Sequence, residues 1–219
     1  MNEKQKSPLG ALRADTYRQY GKTNYLYTLL GFCTRRTFRV IVTMRLCQAL
    51  ASGFAPLRVF LPFMVLLHRI TTQMAAVDFS WRTKVGAGLA ITHGWGMVVN
   101  QGAVIGGNVT LFHGVTLGRR DRLSTDGGGR TTEYPVIEDE VWIGPHAIIV
   151  GGVTVGKGSR IAGGAFVQDD VPPRCIVLGN PGRIVKTDCV PDVMNPAALL
   201  FRFIRHFCGS VVRFRARSA

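Results

Sequence analysis

From Ile137 onward an aliphatic residue returns every six positions: Ile137, Ile143, Ile149, Val155, Ile161 and Val167. A helix repeats at about 3.6 residues and a strand alternates at about 2, so a period of six marks a larger unit. The units read IEDEVW, IGPHAI, IVGGVT, VGKGSR, IAGGAF and VQDDVP. Six residues accommodate a short strand and a turn, with glycine at the tight corners. Three units close a triangular coil, and stacked coils bury a continuous aliphatic column, which is a parallel β-helix. The same rhythm runs upstream in VGAGLA, ITHGWG, the eight-residue MVVNQGAV, IGGNVT and LFHGVT, with Val85, Ile91, Met97, Ile105, Leu111 and Leu117 inward. Four residues later in most units a second small or aliphatic site follows, as at Leu89, Val109, Val115, Val141, Ala147, Val153 and Ala165; Gln101 and Ser159 break the pattern.

Ser7-Pro8 predicts a cap and first turn for a helix ending near Gly21. Thr34 predicts the cap of a second helix through Ala51, and Pro56 the start of a third through about Met74, bent at Pro62. The chain thus divides into a helical region (1–76), a β-helix (77–186) and a tail (187–219). The rhythm fails between Leu117 and Ile137, predicting a protruding loop over 119–135. The helical region is apolar yet carries Arg35, Arg36, Arg39, Arg45, Arg58 and Arg69. It either caps the open first coil or lies on a membrane interface. The tail sets Leu199, Leu200, Phe203, Ile204 and Phe207 against Arg202, Arg205 and His206; it either packs on the solenoid or sits on anionic lipid.

Charge adds an anionic partner to this picture: 27 Lys and Arg against 13 acids give a formal +14. Nucleic acid is not favoured, because the aromatics do not interleave with the basic residues inside the repeat. The five cysteines form no CxxC pair, which favours reduced cytosolic thiols over a disulfide or zinc site. MNEKQKSPLG has no apolar core of a secretory signal, and the apolar runs Leu46–Leu57 and Val59–Leu67 fall short of the ~20 residues of a membrane span. These readings favour a cytoplasmic protein and leave peripheral contact with the inner membrane face open.

His93 and His113 are each third in their units, three units apart. His113 is therefore expected directly above His93, at the interstrand spacing of about 4.8 Å. Histidine suits proton transfer near neutral pH. His146 is fourth in its unit and is not expected in that row.

The stretches DFSWRTKVGAGLAITHGWGMVVNQGAVIGGNVTLFHGVTLG, VWIGPHAIIVGGVTVGKGSRIAGGAFVQDDVPP and GNPGRIVK resemble hexapeptide-repeat acyltransferases of the serine acetyltransferase branch. The resemblance implies a left-handed parallel β-helix, acetyl-CoA as acyl donor, no metal, and a homotrimer with active sites between subunits. It puts the general base on His93, the histidine that counting sets below His113, and the aspartate that orients it on Asp78. It lays the pantetheine arm along Gly118, Gly144, Pro145, Ala162 and Gly163, and the phosphates at Arg183 and Lys186. Arg119 stands where that branch usually has glycine.

Where the branch carries an Arg-His-Pro that grips the amino acid, this chain has Glu133-Tyr134-Pro135. A carboxylate in place of a guanidinium would repel serine's own carboxylate. The replaced site resembles capsule, exopolysaccharide and colanic-acid O-acetyltransferases, and implies a saccharide acceptor, with Tyr134 at its site. Trp95 stands in an inward-leaning slot that usually holds a small residue; it either packs in the core or turns out to stack a sugar ring. A divergent serine acetyltransferase and a non-catalytic assembly module are the alternatives. A carbonic anhydrase on the same fold would need three histidines on zinc, and no companion His pair has that spacing.

Overall fold

In a computed structural model, described for residues 7–123 and 129–197, four helices and a 3-10 turn lead into a column of short strands. The helices are α1 (Pro8–Tyr20), α2 (Tyr25–Thr34) and α3 (Arg36–Ser52); a 3-10 turn (Ala55–Phe60) then feeds α4 (Leu61–Ala75). Ser7 caps α1 through the Gly10 amide, and Gly21 closes it with φ +66°. Helix α2 was not expected. Thr34 is its last residue, with its hydroxyl on the Leu30 carbonyl, and extended Arg35 separates α2 from α3. The bend expected at Pro62 is a full break, because Pro62 sits in the first turn of α4, where a missing N–H costs nothing.

The column has three parallel faces. The first holds β1 (Val77–Phe79), β4 (Met97–Val99), β7 (Thr116–Gly118), β12 (Ile148–Val150) and β15 (Phe166–Val167). The second holds β2 (Lys84–Val85), β5 (Val104–Ile105), β10 (Val136–Ile137) and β13 (Thr154–Val155); the third holds β3 (Ala90–Ile91), β6 (Thr110–Leu111), β11 (Trp142–Ile143), β14 (Arg160–Ile161) and β16 (Ile176–Leu178), with β17 (Arg183–Lys186) antiparallel at its end. Ile91 pairs with Leu111 and Ile143 with Leu111 and Ile161, so the six-residue period is the coil register itself. Of the inward positions only Val85, on the first coil, is not fully buried. The two exceptions resolve differently. Ser159 is buried and satisfied, its hydroxyl donating to the Pro172 carbonyl and accepting from the Cys175 amide. Gln101 is exposed, and Ala103 takes the inward site of the enlarged unit.

The helical region covers the first coil. Asp15 and Arg45 form a fully buried ion pair at 2.8 Å. Asp15 also accepts the amides of Gly88 and Leu89, and Arg45 donates to the carbonyls of Val85 and Gly86. Burial pushes the Asp15 carboxyl up, and the Arg45 guanidinium and the two amides pull it back. Arg18 adds bonds to the Gly88 carbonyl, the Thr110 hydroxyl and the Met194 carbonyl. This is the cap expected of the helices; the alternative for the tail past residue 197 lies outside the described residues. His68 is buried, with Nε2 on the Phe79 carbonyl and Nδ1 on the Thr43 hydroxyl. The four described cysteines are free, three of them buried.

Two outcomes follow. Asp15→Ala strands a buried guanidinium and is expected to cost about 3–5 kcal/mol in urea unfolding, against less than about 0.5 for the exposed Arg13→Ala. Desolvation holds His68 below its ordinary value of 6.5, so the unfolded chain binds the extra proton. Stability is therefore present above that value and lost as the pH falls through it. His68→Gln should flatten the fall in unfolding midpoint between about pH 7.5 and 5.5; an unchanged slope would remove His68 from the account.

Candidate active site

The histidines gather on the corner between the third and first faces. His93 follows β3 (Ala90–Ile91) and His113 follows β6 (Thr110–Leu111), and the pairing of those strands puts one above the other. Their ring centroids are 6.0 Å apart, edge to face, somewhat wider than the backbone spacing because the rings are tilted. His146 joins the column, contrary to expectation. It is one residue out of register, but its left-handed backbone (φ +56°) swings the imidazole back to 5.0 Å from His113. The space it takes is the one a Cβ at Gly114 would fill, 2.2 Å from His146 Nδ1. His93 and His146 are exposed, and between them His113 has its Nδ1 buried without a hydrogen-bond partner among the described residues.

His93 is itself left-handed (φ +64°), a conformation that histidine tolerates better than most side chains but that needs support. Arg36 provides it. Its guanidinium donates to the His93 and Ala75 carbonyls and lies 3.3 Å from the centroid of the Trp95 ring. Trp95 takes the outward of its two expected placements, 57% exposed, with one face already covered by Arg36. Arg36 is a residue that sequence reasoning missed; a basic residue on a capping helix carries no local signal of the corner it will meet.

Asp78 lies outward on β1, in a shallow groove with Gln73, Ala76, Gly96 and Val98. Its carboxylate makes no hydrogen bond or ion pair among the described residues, so the structure sets it near the histidine corner without joining it to His93.

Beside His146 the corner is turned by Gly144-Pro145, and one coil above it continues through Ala162-Gly163. A Cβ at Gly144 would meet the Gly163 amide at 2.7 Å, and one at Gly163 the Pro145 carbonyl at 3.1 Å. The coils touch backbone to backbone here, and the Trp142 ring closes in on Gly144 from the same side, 2.8 Å from where its Cβ would stand. The edge runs on to Gly179 and, through the turn at Asn180-Pro181, to exposed Arg183 and Lys186 on β17. Gly118 and Arg119 are not on this edge. They end β7 at the opposite corner of the first face, where a hairpin (β8, Arg120–Leu123; β9, Arg130–Glu133) projects. Tyr134 is there too, its ring over Gly102, while Glu133 packs on Gly152 and pairs loosely with Arg122 at 3.4 Å. Within one chain, therefore, Tyr134 and the histidine column occupy different edges, and the expectation that Tyr134 and Trp95 share an acceptor site is not met by a single subunit.

A profile of the bacterial transferase hexapeptide family (six repeats) matches residues 134–169. The serine acetyltransferase of Bacillus licheniformis is 41% identical over 119 residues, 54% of this chain and 52% of that protein. The structure of Neisseria gonorrhoeae serine acetyltransferase in complex with serine is 30% identical, with a TM-score of 0.62 over 84% of this chain and 71% of that one. The chain belongs to the hexapeptide-repeat acyltransferases. The Brucella abortus serine acetyltransferase in complex with coenzyme A is a further structural relative within that family (30% identity, TM-score 0.63, covering 86% and 71%). The matches span between 29% and 54% of the length of the curated relatives. These relatives are serine acetyltransferases, so the family stands, while the narrower likeness to capsule, exopolysaccharide and colanic-acid enzymes is not shown.

Gly114→Ala tests the column. The new methyl would collide with the His146 ring at a left-handed position, so a loss of about 1–2 kcal/mol and a displaced His146 resonance in NMR are expected. A variant as stable as the parent, with His146 unmoved, would contradict the packing described.

Proposed function

We propose that the chain transfers acetyl from acetyl-CoA to a hydroxyl group, with His93 as general base and serine as the acceptor. The observation that carries this reading is an exposed imidazole at the foot of a glycine-lined edge that ends in two cations. His93 takes the hydroxyl proton as the oxygen attacks the thioester carbonyl, and returns it to the departing sulfur. Asp78 is the carboxylate available to orient the imidazolium after a small approach, and His113 sets the ring's other wall. Exposed Gly163, with half-buried Pro145 and Ala162 beside it and Gly144 buried beneath, leaves a stretch without long side chains along which a pantetheine arm fits. Arg183 and Lys186 fit its phosphates. The fit needs no metal, and no group of three metal-ligating side chains occurs among the described residues.

Gly118, Arg119 and the hairpin reach such a site only from a second copy, as a homotrimer with shared sites would supply them. Serine as acceptor rests on the relatives, whose names give that activity. A saccharide acceptor has one observation in its favour: Glu133-Tyr134 replaces the expected Arg-His, leaving a carboxylate and a phenol where an amino acid's carboxylate would need a cation. Nothing in the comparisons supports it. Thiol release from acetyl-CoA, measured with serine and with a panel of sugars, separates the two readings. Turnover is expected with serine, and His93→Ala should lower it on the order of 100-fold or more. Full activity in that variant would end the general-base assignment, and turnover with sugars alone would replace the acceptor.

A further inference from the structure

The 3-10 turn and α4 leave an apolar face uncovered. Helix α4 buries His68, Thr71, Thr72 and Ala75 against the rest of the molecule. Its opposite side shows Phe63 (66% exposed), Leu66 (56%) and Ile70 at helical spacing. The 3-10 turn buries nothing at all and adds Phe54 (72%), Val59 (73%) and Phe60. Six large apolar side chains exposed within seventeen residues exceed the scattered exposure usual on a protein surface.

The charge around this face is one-sided. Residues 7–76 contain nine Lys and Arg and a single carboxylate, Asp15, which is sealed in its pair with Arg45. Arg58 and Arg69 flank the apolar side chains, and both are exposed. No helix among the described residues is long and apolar enough to cross a membrane.

We propose that this face docks on an anionic lipid surface, lying in the interface with Phe60, Phe63 and Leu66 below the headgroups. Arg58 and Arg69 have stems long enough to stay with the apolar side chains while their guanidinium groups meet lipid phosphates. A second copy is the weaker occupant. Face-to-face pairing would bring these arginines together, and residues 7–76 expose no carboxylate to receive them. The inference is independent of the acceptor and of the acetyl-transfer reading. It places the enzyme at a membrane whatever it acetylates.

The test is flotation of the full-length chain with vesicles of phosphatidylcholine alone and with about one-third phosphatidylglycerol. Binding is expected only to the anionic vesicles and should weaken as salt rises. Phe63→Ser with Leu66→Ser is expected to reduce the bound fraction about tenfold or more, with circular dichroism and the thermal midpoint held as fold controls. Because the basic tail is present in both proteins, equal flotation of parent and variant would overturn the proposal. So would a parent that ignores anionic vesicles, or a variant whose only change is a smaller sedimentation mass, which would assign the face to a second copy.

Discussion

A stack of parallel coils has an open end, and the buried pair of Asp15 with Arg45 is what closes it here. The first coil has no strand beneath it to take the carbonyls of Val85 and Gly86 or the amides of Gly88 and Leu89. One guanidinium and one carboxylate satisfy all four, and each neutralises the other. The candidate base sits on this same coil. His93 keeps its left-handed backbone through Arg36, which belongs to the same helix as Arg45. The helical region therefore holds the proposed base in place as well as closing the column, because the coil it closes is the one that carries His93.

The column itself was open to reading from the sequence, since a period of six is imposed by geometry. Each inward Ile, Val or Leu must stack on the same position one coil below, so the repeat is written in the chain at full strength. Tertiary contacts are not written that way. Helix α2 has apolar residues all round, and Thr34 has the chemistry of a cap; only the Leu30 carbonyl beneath its hydroxyl shows that it ends a helix rather than starts one. His146 illustrates the same limit at a single residue. Register counted from strand to strand excludes it from the histidine row, and a positive φ that no local motif announces returns it.

The site was partly legible for a related reason. His93 and His113 occupy equivalent places in the repeat, so their stacking follows from counting. Asp78, Tyr134 and Arg119 came from likeness to a family, and likeness does not specify which edge of one chain each residue will occupy. The structure separates them: the histidines share an edge with Gly144 and Gly163, and the hairpin leaves from another. Long-range contacts such as Arg36 over Trp95 depend on the packing of a helix against a corner and have no sequence spacing at all.

The glycine-lined edge has a length set by counting. From His93 through His113, His146 and Gly164 to Gly179 there are four coil steps, or about 19 Å at the interstrand spacing. Such an edge is a gauge graduated in whole turns of the chain. Gain or loss of one turn would preserve every inward contact and yet move the cationic end by about 4.8 Å relative to the imidazole. Evolution can therefore adjust the stability of this scaffold almost residue by residue, but its reach only in large, discrete increments.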